Sequence, residues 1–76
     1  MRELIEFLAK SLVDHPDEVQ VHTRERGDQT VIELEVEPDD LGKVIGRQGR
    51  TARAIRIILG AAGQNSRRRY TLDILD

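Results

Sequence analysis

The chain has no cysteine and no tryptophan, and only one phenylalanine, one tyrosine and two prolines in 76 residues. Without cysteine there is neither a disulfide framework nor a thiolate metal site. No apolar run approaches the ~18–20 residues of a membrane-spanning helix, and Glu3 and Glu6 among the first apolar residues are wrong for a secretory leader. These absences lead to the expectation of a cytoplasmic protein with no membrane association. Phe7 falls in a helical segment, where a core position is expected, and Tyr70 opens a strand. Two rings so placed cannot build a platform for stacking successive bases. His15 and His22 are isolated and without thiolate partners, so neither a metal nor a cofactor site is expected. Ser11 and Ser66 lack a nucleophile-elbow context, and Asp39-Asp40 reads as the capping of a helix start rather than a catalytic pair. No catalytic residues are visible, and the chain does not read as an enzyme.

What is present is charge, and it is unevenly spread. Residues 1–40 hold four basic side chains against twelve acidic ones. Residues 41–76 hold eight basic ones (Lys43, Arg47, Arg50, Arg53, Arg56, Arg67, Arg68 and Arg69) against Asp73 and Asp76. The net charge of −2 therefore hides a body of −8 and a segment of +6. A polyanion-binding face on an acidic body has this asymmetry. Seven of the eight bases are arginine, the side chain suited to bidentate phosphate contacts and to stacking on bases.

Seventy-six residues make a single domain, 1–76, with no linker, repeat or low-complexity tract. Leu4, Ile5, Leu8 and Leu12 recur at helical spacing over residues 2–13, and Pro16 stops that helix by disfavouring a helical conformation at His15. Val19, Val21 and Thr23 alternate with polar residues. After Gly27-Asp28 so do Thr30, Ile32, Leu34 and Val36, the signature of a β-hairpin. Pro38-Asp39-Asp40 opens a short helix over about 39–45. A longer helix is expected from about Arg50 to Ala62, with Ala52, Ile55, Ile58, Leu59 and Ala62 as its core stripe and Gly60 and Gly63 weakening its end. A second set, Ala54, Ile57 and Ala61, lies on a neighbouring face and is more apolar surface than one core stripe needs. Gln64–Arg69 reads as a loop, and Tyr70, Leu72 and Ile74 alternate as a last strand. Because that strand follows a helical crossover, it can lie parallel to a neighbour. The expectation is an α+β domain of order αββααβ, a three-stranded mixed sheet with three helices packed on one face.

Between the two later helices lies Gly46-Arg47-Gln48-Gly49. Glycines let a backbone approach a ligand closely, and the helix beginning at Arg50 offers free N–H groups and a positive dipole end to a phosphate. This is the layout of a loop that clamps a nucleic-acid backbone. A P-loop is excluded, because Val44 follows Lys43 where serine or threonine is required.

The phrase Gly42-Lys43-Val44-Ile45-Gly46-Arg47-Gln48-Gly49-Arg50-Thr51, set in that order of elements, resembles a type II KH domain. The opening Met-Arg-Glu-Leu-Ile-Glu-Phe and the turn Asp14-His15-Pro16-Asp17-Glu18-Val19 extend the resemblance over the whole chain, to the KhpA family of small bacterial KH proteins. The resemblance implies single-stranded RNA binding in a KH groove, a role as RNA chaperone or post-transcriptional regulator, and pairing as a homodimer or with a larger KhpB (Jag-type) partner. It implies that Gly46, Arg47, Gln48 and Gly49 grip the RNA backbone, that Lys43, Arg50 and Arg53 neutralise phosphates, and that Val44 and Ile45 form the groove floor, with Ile55 behind and the central strand alongside. Arg67–Arg69 either flank that groove or are solvated loop charges. The alternative function is a protein–protein adaptor that keeps the KH fold without using its groove.

Overall fold

A computed structural model describes residues 1–75. It contains α1 (Arg2–Leu12), β1 (Gln20–Arg26), β2 (Gln29–Glu35), α2 (Leu41–Ile45), α3 (Arg50–Ser66) and β3 (Arg69–Ile74), with single 3₁₀ turns at Pro16–Glu18, Pro38–Asp40 and Arg47–Gly49. This is the αββααβ order and three-stranded mixed sheet expected of a type II KH domain. Among the described residues no helix is long and apolar enough to cross a membrane.

The hairpin follows from Gly27, which takes the first turn position at φ +64° while Arg26 pairs Gln29. A two-residue turn with glycine first matches the twist of the strands it joins. β1 and β2 pair antiparallel, β2 and β3 parallel, so β2 is central. The parallel register sets Thr30 beside Tyr70, Ile32 beside Leu72 and Leu34 beside Ile74. These alternate residues form the face covered by helices. Ile32 and Leu34 are fully buried there, with Val44 from α2, Leu59 from α3 and Ile5 from α1. The opposite face carries His22, Arg24, Glu33, Thr71 and Asp73, with Arg24 paired to Glu33 at 3.1 Å. One face is apolar and one solvated, as the period-two pattern requires.

Three expectations about packing are corrected. Phe7 is 67% exposed, because Ile5 and Ala9, at i and i+4, are the α1 residues that are buried. Ile58 is 46% exposed and lies outside the core stripe of α3, which is Ala52, Ile55, Leu59 and Gly63. α3 itself runs through Gly60 and Gly63 to Ser66, four residues beyond the expected Ala62, and only Arg67 and Arg68 separate it from β3. Gly63 is buried at this junction, where a Cβ would collide with the Arg68 carbonyl oxygen. The glycine that weakens an isolated helix here lets the chain fold back against it.

Candidate nucleic-acid interface

α2 and α3 meet at the loop Gly46–Gly49, where three positive-φ residues redirect the chain: Gly46 at +81°, Gln48 at +57° and Gly49 at +73°. Gly46 is required sterically as well. A Cβ there would lie 2.8 Å from the Thr51 backbone nitrogen, with the Thr51 side chain closer still. At Gly49 a Cβ would meet nothing, so only its backbone angle favours glycine. The Gly49 amide donates to the Gly46 carbonyl at 3.0 Å, closing the turn. The Arg50 amide is spent on the Arg47 carbonyl, and no side chain caps the amides that follow at the positive dipole end of α3.

The candidate residues are brought together around this loop, but they are not equivalent. Arg47, Gln48, Arg50 and Arg53 are exposed. Arg50 Nη2 donates to Gln48 Oε1 at 3.2 Å, which steadies the left-handed Gln48. Among the described residues, no carboxylate lies within 4.0 Å of Arg47, Arg50 or Arg53, so their charges face solvent unneutralised. Lys43 is different. Its Nζ sits 3.2 Å from Asp14 Oδ2 and 3.7 Å from Asp40 Oδ1. The hydrogen bond and charge of Asp14, with a further contribution from Asp40, hold its pKa above the usual lysine value. Of the groove-floor residues, Val44 is fully buried and Ile55 nearly so, and Ile45 alone presents surface, at 38%.

Behind the loop stands a polar anchor that the sequence reading missed. Asp40 is 1% exposed. It does not cap α2; that part of the chain is capped by Glu37, whose carboxylate accepts the Asp39 amide at 2.8 Å. Asp40 Oδ2 instead accepts the His15 backbone amide at 3.0 Å and the His15 ring Nδ1 at 2.9 Å, tying the end of α1 to the start of α2. Burial pushes the Asp40 carboxyl up, but these hydrogen bonds outweigh it and the pKa falls below the ordinary value. His15 is correspondingly raised, chiefly by its hydrogen bond to Asp40 and further by the charges of Asp40, Glu37 and Asp14, against a smaller lowering by burial. His15, Glu37 and Asp40 approach one another within 4.8 Å. Lys43 already supplies the positive charge beside Asp40, and the group reads as a structural ion network. Expectation placed Asp39-Asp40 as a cap and His15 as an isolated turn residue. The partners lie 25 residues apart, and no local pattern joins them.

Arg67–Arg69 lie at the other end of α3 from the loop. Seventeen residues of helix separate them from it, about 25 Å at 1.5 Å per residue. Arg68 donates to Glu25 and, at 2.7 Å, to the Thr30 hydroxyl. These arginines therefore do not flank the Gly46–Gly49 loop.

A family model for the KH domain of KhpA and KhpB matches residues 2–74. The chain belongs to this family. It is 53% identical over 76 residues to an RNA-binding protein KhpA of Halalkalibacterium halodurans, covering all of both chains. It is 54% identical over 74 residues to one of Borreliella burgdorferi, covering 97% of this chain and 90% of the relative. With an RNA-binding protein KhpA of Aquifex aeolicus it shares 49% over 76 residues, all of this chain and 96% of the relative. No solved structure matches the chain significantly.

Proposed function

We propose that this KhpA-family chain is a single KH domain that binds single-stranded RNA at the Gly46–Gly49 loop and acts as an RNA chaperone or post-transcriptional regulator in the cytoplasm. The observation that carries this reading is the N-terminus of α3, uncapped by any side chain, beside three arginines with no carboxylate partner. Relatives about half identical over their length are named RNA-binding proteins, which supports the same ligand class. In this reading Gly46, Arg47, Gln48 and Gly49 hold the RNA backbone and the α3 amides complete a phosphate site. Arg50 and Arg53 neutralise the neighbouring phosphates, Ile45 gives the bases an apolar surface, and Val44 supports the loop from beneath. Lys43 joins only by exchanging its Asp14 contact for a phosphate. Such a loop holds ~4 unpaired nucleotides. The test replaces Arg47 and Gln48 with aspartates at the exposed loop tip. Binding of single-stranded RNA should be lost with unchanged thermal melting, whereas wild-type affinity would favour an adaptor that does not use its groove.

Pairing follows from a different face of α3. Ile57 is 66% exposed and Ile58 46%, with Ala54 and Ala61 exposed alongside. Small residues flanking Ile57 let a second helix approach closely, and apolar patches of this kind are uncommon on monomers. The partner is a second copy of this chain, a KhpB (Jag-type) protein, or each in turn. Light scattering at micromolar concentration should show a dimer that Ile57→Asp converts to a monomer. A wild-type monomer would leave the heterologous partner.

A further inference from the structure

Around its axis α3 presents three faces, of which the core face and the outward apolar face are accounted for. The third carries Arg53, Arg56, Gly60, Gln64 and Arg67, at helical spacing from the Gly46–Gly49 loop to the far end. It runs beside β3, an edge strand, and Arg56 marks the contact by donating to the Leu72 carbonyl at 3.3 Å. The face ends in a cleft of 460 Å³ between α3 and β3, lined by Gly60, Gly63, Gln64, Arg67, Arg69 and Tyr70 among others.

Two features of this cleft play no part in the packing of the fold. First, Arg67 and Arg69 have no carboxylate within 4.0 Å among the described residues. Arg68 between them is the one spent on the fold, on Glu25 and Thr30. Second, Gly60 is an exposed glycine inside a helix, and a Cβ there would meet nothing within 4 Å. A mid-helix glycine that no packing demands is a standing cost. Here the missing side chain keeps the cleft open. The occupant that fits is anionic, as the two unpaired guanidiniums require. It also has hydrogen-bonding edges, because β3 is an edge strand with no strand partner on its outward side.

We propose that this cleft is a second anchoring site for the same RNA strand: an RNA longer than the loop can hold follows the arginine face of α3 and sets a phosphate between Arg67 and Arg69. The proposal rests on the reading of the Gly46–Gly49 loop as an RNA grip and adds reach to it. Single-stranded probes of ~4 and ~16 nucleotides separate the two sites. The double variant Arg67→Ala/Arg69→Ala keeps Arg68 and its partners. It should bind the short probe like wild type, lose about tenfold on the long one, and flatten the salt dependence of the long probe by ~0.7, the share of one phosphate contact. Gly60→Leu, which fills the cleft while removing a helix-weakening residue, should raise the melting temperature and still weaken the long probe. Wild-type affinity of either variant for the long probe, or an equal loss on both probes, overturns the second site. Failure of the wild-type protein to bind either probe overturns the RNA reading itself.

Discussion

Both ends of α3 are basic, and both adjoin backbone in the left-handed region, yet they differ in what the main chain offers an anion. At the start, Gln48 and Gly49 are both left-handed, no side chain caps the helical amides that follow Arg50, and Arg47, Arg50 and Arg53 face solvent. At the end, Arg67 alone is left-handed, and the amides of Arg67 and Arg68 are spent on the carbonyls of Gln64 and Gly63. The helix dipole is positive at the first end and negative at the second. Arginine count does not locate the grip. The start leaves uncapped helical amides beside its arginines, whereas the end offers side chains alone, which in the proposed reading only add to a strand already held.

The glycines sharpen this comparison, since each end has one with no room for a methyl group and one with ample room. Gly46→Ala should have the largest effect, because the added Cβ collides with Thr51 at a left-handed position. Strain and overpacking together cost about 2–5 kcal/mol, and RNA affinity should be lost with the loop geometry. Gly49→Ala meets no atom and retains only the backbone strain, about 1–2 kcal/mol by chemical denaturation. Gly63→Ala drives a Cβ into the Arg68 carbonyl. It should cost ~1–3 kcal/mol, less the ~1 kcal/mol alanine gains in a helix, and leave the affinity for a short RNA unchanged. A loss of short-RNA binding there would erase the distinction between the ends. Gly60→Ala should stabilise the fold by ~1 kcal/mol.

The smallest effect concerns the anchor behind the loop. His15 has a raised pKa, so its contribution is complete below the ordinary imidazole value of 6.5 and is lost as pH rises through the raised one. Asp40 has a lowered pKa, so its contribution is complete above the ordinary 3.8 and is lost as pH falls through the lowered one. The tether therefore contributes most between pH 3.8 and 6.5. The melting-temperature advantage of wild type over His15→Gln should shrink as pH rises above neutrality. An advantage independent of pH would mean that the ring contributes by packing alone.

The element order, hairpin and Gly46–Gly49 loop were legible in the sequence, because each rests on local signals: alternation in β2, glycines at turns, helical spacing in α3. What was not legible depends on contacts distant in the chain. Gly63 continues a helix because β3 returns against it. Phe7 is exposed because the core meets Ile5 and Ala9. Asp40 is taken from its expected capping role by His15, and Lys43 is drawn toward Asp14. Arg67–Arg69 follow the loop in sequence yet stand a full helix length away from it.

Where a short RNA touches the backbone is the most direct test of the proposed Gly46–Gly49 grip. Amide chemical shifts mapped with a single-stranded RNA of ~4 nucleotides should move most at Gly46–Arg53, in fast exchange that weakens as salt is added. Log affinity against log salt should have a slope of about −2, from three arginines at ~0.7 each. Shifts confined to the solvated face of the sheet, around His22, Glu33 and Thr71, with a slope near zero, would contradict it.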